Sequence, residues 1–395
     1  MFVKATSDCI DTFCNLADAF ETFRDQIIEI LSDIETKKTA INELDKTVKT
    51  LRTYGHERKY IEGRVPVGKV AVFLPFNMPL YSMILYAFGS LYAGNEVYVR
   101  PSRITKNVLL RIYSLFKEIM APLPLYIVSN MSGKAFWERS MADESVNTVV
   151  FTGQWESVED LSLQLRPGKK LIYCGSGLCS LIVRSDADLD EAVDATIKSR
   201  IFTSGQDCLA TEKIFVHSDI YDDFIVRLNS KVDKLIVGDN HNIETDIGQL
   251  ATTEFVDRIQ VLLSSTQGEI VRKGRIGGSY VEPIIVSTKI GDPLFEEEKF
   301  SPIFTIARYY SELQIIEYIN SCEYSMGVSI FGSRLDIDSF QMDHVLYNRT
   351  VLDYEEDDAH IPFGGYKKSG FVLKDGHKHG GPILFSYETT KNKGE

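Results

Sequence analysis

The chain has 395 residues, 44% of them apolar, which is enough to bury a large core, most naturally in two domains. Its formal net charge of -13 argues against nucleic acid as the main partner. There is no run of ~20 apolar residues and no basic leader with an apolar core, so we expect neither a membrane span nor an export signal. The six cysteines are irregularly spaced without a paired metal-ligand pattern, which predicts a cytoplasmic location and no metal site.

The N-terminal segment carries an apolar stripe with helical spacing. Apolar side chains recur at alternating intervals of three and four residues, and Lys37 or Lys38 interrupts the pattern. This spacing predicts two helices that pack against the domain that follows, with a free coiled coil as the weaker alternative. The stripe consists of Phe13, Leu16, Phe20, Phe23, Ile27, Ile30, Ile34, Ile41, Leu44, Val48 and Leu51.

Between residues 70 and 172, short apolar runs alternate with helical patterns. Strands that alternate with helices are typical of a parallel, doubly wound sheet, so the sequence predicts an α/β fold. The expected strands lie near 70–74, 96–99, 125–128, 148–152 and 170–172, and two of the intervening helices lie near 80–92 and 108–120.

Cys208 is the candidate nucleophile. A thiolate is the best protein nucleophile near neutral pH, and Gly205, three residues earlier, lets the backbone approach a carbonyl group closely. Most free cysteines are instead small buried hydrophobic residues, and we keep this simpler interpretation for Cys9, Cys14 and Cys322.

Asn77 is the candidate oxyanion donor. It follows the first expected strand of the sheet and stands between Pro75 and Pro79. Ligands bind at the carboxyl ends of strands in open α/β sheets, and an asparagine amide at such a place can donate to an oxyanion. An ordinary turn asparagine between two prolines is an equally good interpretation of this position taken alone.

Several further motifs accompany these two residues in a fixed order. The motifs are Pro75-Phe76-Asn77-Met78-Pro79, Ala93-Gly94-Asn95, Arg100-Pro101-Ser102, Phe151-Thr152-Gly153, Ser204-Gly205-Gln206-Asp207-Cys208, Glu298-Lys299-Phe300-Ser301-Pro302 and Pro362-Phe363-Gly364-Gly365-Tyr366-Lys367-Lys368-Ser369-Gly370. Each motif is weak alone, whereas the ordered set is specific. From about Val65 to the C-terminus, the set resembles the aldehyde dehydrogenase superfamily, in which the segment that ends at Cys208 matches the catalytic cysteine.

The resemblance implies an aldehyde dehydrogenase-like fold, with a parallel doubly wound cofactor domain and an α/β catalytic domain. The expected limits are 1–60 for an N-terminal helical segment, 61–174 for the NAD(P)-binding domain, 175–365 for the catalytic domain and 366–395 for a C-terminal return with a bridging strand. Residues 384–387 would supply that strand, so we expect a homodimer.

The resemblance also implies an NAD or NADP cofactor. Arg100, Ser102 and Arg103 follow the second strand, where the adenosine ribose would lie, and two arginines at this place favour a 2′-phosphate. The family often has a glutamate at the position of Arg103, so this departure leans toward NADP. The other implied cofactor contacts are Pro75 and Phe76, then Thr152, Gly153, Gln154 and Glu156 at the pyrophosphate, and Glu298 and Phe300 at the nicotinamide ribose and ring.

One segment departs from the hydrolytic members of the family. These members carry Glu-Leu-Gly-Gly-Lys, and counting back from residues 186–190 puts Cys174 on the glutamate that activates water. Cysteine is a poor general base at neutral pH, and acylating dehydrogenases and glutamyl phosphate reductases also lack this glutamate. The sequence therefore predicts that the enzyme interconverts an aldehyde and an activated acyl group. The alternatives are hydrolysis with another base and a catalytically silent nucleotide-binding relative.

An acidic loop gives a second clue about the substrate. Residues 355–358 are all acidic and precede Pro362, in the loop that borders the substrate mouth in the family. Four carboxylates at that place would repel coenzyme A or an acyl phosphate and would attract an amine, unless they form an ordinary solvated loop. A cationic or carrier-tethered aldehyde or acyl substrate would satisfy both clues.

Overall fold

Two seven-stranded, mostly parallel sheets form the framework of the protein, in a computed structural model that describes residues 2–335, 339–342, 344–354, 356, 358–383 and 389–391. The predicted α/β class is confirmed. The strands are β1 (Arg64–Pro66), β2 (Lys69–Phe73), β3 (Glu96–Arg100), β4 (Leu125–Ile127), β5 (Val146–Thr152), β6 (Lys170–Cys174), β7 (Cys179–Val183), β8 (Thr211–His217), β9 (Glu269–Arg272), β10 (Ile276–Gly277), β11 (Tyr280–Val281), β12 (Ile284–Thr288), β13 (Ile303–Tyr309), β14 (Tyr324–Ser325), β15 (Gly327–Phe331), β16 (His344–Tyr347), β17 (Phe363–Lys367), β18 (Gly370–Lys374), β19 (His377–His379), β20 (Gly381–Ile383) and β21 (Thr389–Lys391).

Helices connect most of these strands. A π-helical segment, Ile84–Phe88, joins α5 to α6. Within the described part of the chain, no helix is both long enough and apolar enough to cross a membrane. The helices are α1 (Phe2–Thr22), α2 (Arg24–Leu31), α3 (Lys37–Thr53), α4 (Arg58–Ile61), α5 (Pro79–Met83), α6 (Gly89–Tyr92), α7 (Lys106–Met120), α8 (Gly133–Ala142), α9 (Trp155–Leu163), α10 (Leu189–Ile201), α11 (Tyr221–Val232), α12 (Thr253–Ser265), α13 (Pro293–Glu296) and α14 (Glu312–Ser321).

The N-terminal stripe packs against the first sheet, as predicted. Phe13 and Leu51 are fully buried and share one apolar core with Val70 of β2. The segment forms three helices rather than the two expected. The break before α3 falls at Thr36, whose side chain accepts a hydrogen bond from the N–H of Thr39 and so begins the new helix.

The first sheet has the strand order β19-β18-β6-β5-β2-β3-β4. Its five strands β2 to β6 pair in parallel, and all five predicted strands are present. Buried β-branched residues such as Val70 and Val97, which lie opposite each other, explain why these segments are strands. The C-terminal segment returns to this sheet, because β18 pairs antiparallel with β6 and β19 extends the edge.

The second sheet has the order β16-β15-β7-β8-β13-β12-β9, in which only β9 pairs antiparallel. The chain passes from the first sheet to the second between β6 and β7, at residues 175–178. The limits predicted for the four parts of the chain stay predictions. Residues 384–387, the expected bridging strand, lie outside the described residues, so the homodimer also stays a prediction.

Candidate active site

Four neighbouring parallel strands, β2, β3, β5 and β6, end along one edge of the first sheet. A cavity of about 430 Å³ lies at this edge. It brings together the predicted nucleophile, the predicted oxyanion donor and every predicted cofactor contact except Arg103 and Glu156. These lining residues are Pro75, Phe76, Asn77, Arg100, Ser102, Thr152, Gly153, Gln154, Cys208, Glu298 and Phe300.

Cys208, the candidate nucleophile, lies just after a tight turn of unusual backbone conformation. Thr203, Ser204 and Gly205 have φ angles of 48°, 58° and 83°, so three consecutive residues adopt the left-handed region. A non-glycine residue in this region costs about 1–2 kcal/mol, which surrounding contacts must offset. Gly205 is also required by close packing, because a Cβ atom there would lie 2.5 Å from the carbonyl carbon of Ser301.

The surroundings of Cys208 disfavour the thiolate form of its side chain. Burial raises its pKa well above the usual value, and the neighbouring carboxylate of Asp207 raises it further. Asp207 is itself engaged, since its Oδ1 accepts a hydrogen bond of 2.8 Å from the N–H of Leu209. To act as the predicted nucleophile, Cys208 must therefore lose a proton before it attacks a carbonyl carbon.

Asn77 connects the two sheets at the cavity. Its side-chain Nδ2 donates to Asp207 Oδ2 at 3.2 Å, which uses one of the two N–H groups of the amide. The second N–H remains as a possible donor to an oxyanion near Cys208. The helix that follows Asn77 is α5, and a side chain of α3 satisfies one of its N-terminal N–H groups. Buried Glu43 accepts a hydrogen bond of 2.9 Å from the N–H of Tyr81.

The two predicted ribose-binding arginines line a further cavity of about 400 Å³. Arg100 is partly buried, and its Nε donates to the carbonyl oxygen of Met131 at 3.3 Å, just before α8. Arg103 is exposed and lines this cavity together with Lys106 and Ser132. Three cationic side chains around one cavity suit a phosphate group, so these residues fit the 2′-phosphate of NADP.

Glu298 and Phe300, which precede β13, also line the first cavity. Ser176 Oγ donates to Glu298 Oε2 at 2.8 Å, and burial, assisted by Glu212, raises the pKa of Glu298 to about 7. Phe300 has a left-handed φ of 49° and packs edge to face with Phe76, with ring centroids 5.9 Å apart. A carboxylate beside an aromatic wall fits the ribose and ring of a nicotinamide nucleotide.

Cys174 ends β6 and lines the same cavity as Cys208. It is buried, and the segment that follows packs directly on the nucleophile. A Cβ atom at Gly177 would lie 1.8 Å from the carbonyl oxygen of Cys208, so only glycine fits there. The position predicted to replace the general base therefore belongs to the site.

Several residues of this cavity were not predicted from the sequence, among them Tyr86, Phe255 and Arg258. Tyr86 lies in the π-helical segment, and segments of this kind occur frequently at functional sites. Phe255 and Arg258 come from α12, far from any motif, and no sequence signal marks them. Phe255 extends the aromatic wall, with ring centroids 5.5 Å from Phe76 and 6.0 Å from Phe300.

A larger cavity of about 590 Å³ adjoins the first. Gln154, Ser176, Arg258 and Glu298 line both, so the Ser176–Glu298 hydrogen bond lies at their common boundary. Glu156 lines this larger cavity from the first turn of α9.

The acidic loop is only partly described, because Glu355 and Asp357 lie outside the described residues. Glu356 Oε2 accepts a hydrogen bond of 3.0 Å from Arg349. Asp358 Oδ1 accepts one of 2.9 Å from the N–H of His360. Both carboxylates are therefore tied to the protein, and Arg349 offsets part of the negative charge of the loop.

Comparison with known proteins identifies the family. The chain matches the aldehyde dehydrogenase family over residues 13–390. It is 26% identical over 384 residues to 3-sulfolactaldehyde dehydrogenase of Priestia aryabhattai, across 90% of this chain and 80% of that protein.

Solved structures share the fold. Glyceraldehyde-3-phosphate dehydrogenase GapN from Methanocaldococcus jannaschii DSM 2661, complexed with NADP, superposes with a TM-score of 0.86 at 24% identity, over 97% of this chain and 87% of that chain. PnpE in complex with nicotinamide adenine dinucleotide gives a TM-score of 0.86 at 23% identity, over 97% and 83% of the two chains. Because the family match spans nearly the whole chain, the protein belongs to the aldehyde dehydrogenase family, whose members are oxidoreductases that use NAD or NADP.

Proposed function

We propose that this protein interconverts an aldehyde and an activated acyl group through a thioester on Cys208, with NAD or NADP as cofactor. The observation that carries the proposal is the presence of Cys174 in the cavity that holds Cys208, Asn77 and the expected cofactor contacts. A thiol in place of a carboxylate leaves water without a general base, so a thioester on Cys208 would persist until another acceptor arrives.

The roles of the site residues follow from their chemistry. Cys208 attacks the carbonyl carbon, and the second amide N–H of Asn77 together with the backbone N–H of Cys208 holds the developing oxyanion. Glu298 and Phe300 orient the nicotinamide ribose and ring, and Thr152, Gly153 and Gln154 line the path of the pyrophosphate. A bound nicotinamide would supply the hydride acceptor or donor for this reaction.

We infer a preference for NADP over NAD. Arg100, Arg103 and Lys106 line one cavity beyond the end of β3, and a 2′-phosphate there would form charge-assisted hydrogen bonds. Both cofactors occur among the similar structures, since GapN is complexed with NADP and PnpE with the dinucleotide that lacks the phosphate.

For the substrate we propose a small aldehyde or activated acyl compound. The relative from Priestia aryabhattai is named for 3-sulfolactaldehyde, an anionic aldehyde, whereas the acidic loop 355–358 favours a cationic or carrier-tethered compound. The contact between Glu356 and Arg349 weakens the second argument. The acyl acceptor could enter through the cavity of about 590 Å³ beside Glu298. A cytoplasmic homodimer that binds no nucleic acid remains part of the proposal.

Single-turnover absorbance at the reduced-nicotinamide band tests this function directly. A panel of anionic, neutral and cationic aldehydes is mixed with the enzyme, with and without coenzyme A or phosphate, beside a Cys208→Ala control. We expect a burst that stalls until an acceptor is added, and no burst from the control. Steady turnover in water alone would contradict the proposal.

Hydrolytic aldehyde oxidation is the second candidate, and one observation favours it. Glu298 has a pKa of about 7, which suits a general base near neutral pH, and it shares the cavity with Cys208. Steady turnover in water would support this function.

A catalytically silent, nucleotide-binding protein is favoured only by the raised pKa of Cys208, and the absence of any burst with every aldehyde would support it.

A further inference from the structure

We infer that Arg200, Glu212 and Lys299 form a buried positioning cluster. The cluster holds the nucleophile loop, residues 202–210 between α10 and β8, and the cofactor-binding segment 298–300 in one fixed arrangement. The inference rests on the proposed function for its catalytic consequence, but the cluster can also be tested without turnover.

The three side chains form one connected, charged group inside the protein. Arg200 is the last buried residue of α10, Glu212 lies on β8, and Lys299 precedes β13. Their side chains are buried, with 0%, 1% and 1% of the residue surface exposed, respectively. Arg200 Nη1 lies 2.7 Å from Glu212 Oε1, and Lys299 Nζ lies 3.2 Å from Glu212 Oε2. Burial alone would raise the pKa of Glu212, but Arg200 and Lys299 lower it below the usual value, so the carboxylate is ionised.

Arg200 fixes the nucleophile loop by two hydrogen bonds to backbone carbonyl groups. Its Nη2 donates to the carbonyl oxygen of Gly205 at 2.6 Å, and its Nη1 donates to that of Thr211 at 2.6 Å. These two carbonyl groups stand on either side of Cys208 in the chain. The guanidinium therefore clamps the loop in which Thr203, Ser204 and Gly205 keep their left-handed conformation.

Glu212 holds the cofactor-binding segment in the same way. Its Oε2 accepts a hydrogen bond of 3.0 Å from the N–H of Lys299, and its Oε1 accepts one of 3.1 Å from the N–H of Phe300. Lys299 Nζ closes the connection by donating to the carbonyl oxygen of Glu212 at 2.7 Å. The segment therefore turns at Phe300, in the left-handed region, and presents Glu298 and Phe300 to the cavity.

The charges are difficult to explain by stability alone. A buried ion cluster is often no more stabilising than apolar side chains of the same volume, because desolvation opposes the attraction. This cluster instead fixes the backbone of two segments: Arg200 binds the carbonyl oxygen of Gly205 before Cys208, and Glu212 binds the N–H groups of Lys299 and Phe300. A displacement of about 1 Å between reacting groups can cost about 100-fold in rate, so such a clamp would act on catalysis.

The test compares variants inside the cluster with a matched variant away from the candidate site. Arg200→Met and Glu212→Gln break the clamp, whereas Arg200→Lys keeps the charge but replaces the rigid guanidinium fork, whose two nitrogens bind the two carbonyl oxygens, with a single ammonium nitrogen. Lys169→Met is the control: it removes a buried ammonium group that donates to the backbone carbonyl oxygens of Asp143 and Val146 and that lines neither cavity of the candidate site. Each variant is assayed for thermal unfolding, for the alkylation rate of Cys208 without cofactor, with the other five cysteines as internal reference, and for single-turnover rate.

We expect Arg200→Met to change the alkylation rate of Cys208 about 10-fold or more and to lower the single-turnover rate about 100-fold, while Lys169→Met changes both less than about 3-fold. Glu212→Gln should weaken cofactor binding, measured as the Kd of the reduced cofactor by its fluorescence, more than Lys169→Met does. Arg200→Lys should lie between wild type and Arg200→Met.

The inference is overturned if cluster and control variants lose stability alike while alkylation rate and cofactor Kd stay at the wild-type values. If Arg200→Met does not fold, Arg200→Lys and Glu212→Gln decide by the same criteria. If wild-type enzyme shows no turnover with any substrate, the proposed function fails, but the alkylation and binding measurements still judge the cluster.

Discussion

The two halves of the candidate site are built in different ways. Asn77, Arg100, Thr152 and Cys174 lie at or just beyond the ends of four parallel strands, so the first sheet alone brings them to one edge. Cys208 and the segment 298–300 instead lie in loops with left-handed residues, which long-range contacts of buried charged groups hold. A site can thus combine a half that is positioned by secondary structure with a half that depends on tertiary contacts.

Asn77 links the two halves through Asp207, so its replacement should have the largest effect. We expect Asn77→Ala to lower kcat about 100- to 1,000-fold, because the oxyanion loses a donor and the contact between the halves is broken. Steady-state kinetics together with thermal unfolding measure this. Asn147→Ala removes an amide that contacts the carbonyl oxygen of Val67 instead, and it should leave kcat within about 3-fold of wild type. Equal effects of both variants would remove Asn77 from the mechanism.

Cys174→Glu should change the reaction itself. A carboxylate at the end of β6, in the cavity that Cys208 lines, can activate water, so we expect steady turnover without an acyl acceptor to rise about 100-fold. Cys174→Gln has the same size without a basic group and should stay at the wild-type rate. If both variants behave alike, the missing base is not what limits hydrolysis.

Arg103→Glu tests the cofactor preference within the first half of the site. The glutamate would repel a 2′-phosphate and accept hydrogen bonds from a free ribose, so we expect NADP to bind about 10-fold more weakly and NAD to bind no worse. Lys117→Glu makes the same charge change at an exposed position of α7 and serves as control. An equal loss of affinity for NADP and NAD would mean that Arg103 does not contact the 2′-phosphate.

The pKa of Glu298 predicts a smaller, pH-dependent effect in the second half. The group has a folded-state pKa of about 7, so it is protonated below pH 7 and ionised above it. Because a carboxylate accepts ribose hydrogen bonds better than a carboxylic acid does, the cofactor Kd should fall several-fold between pH 6 and pH 8. Glu298→Gln should show a flat profile over this range.

The raised pKa of Glu298 also predicts the direction in which the stability of the folded protein changes with pH. A folded pKa above the usual 4.5 means that the folded protein binds the proton more tightly than the unfolded chain does. Stability that Glu298 contributes at low pH is therefore lost as pH rises from 4.5 through 7, relative to Glu298→Gln. Identical unfolding profiles for the two proteins across this window would argue against the raised pKa.

Local sequence patterns were sufficient to predict the first sheet and the part of the candidate site that lies at its edge. The five strands from β2 to β6, the packing of the N-terminal stripe and the grouping of Asn77 with Arg100 and Thr152 all follow from apolar periodicity and strand order, since parallel strands end at one edge. The division of the stripe into three helices was missed, because the break at Thr36 depends on a side-chain cap and the additional break near Phe23 leaves the apolar spacing unchanged.

The sequence by itself determined the α/β class, the order of the strands in the chain and the identity of the candidate nucleophile, because these depend on local periodicity and on motifs of a few residues. Only the tertiary structure decided the environment of Cys208, whose pKa burial raises, and the contribution of Phe255 and Arg258 from α12. It also decided that Arg200, Glu212 and Lys299 form one cluster. The physical reason is that burial and charge pairing depend on which distant segments meet, and no local pattern of residues specifies that.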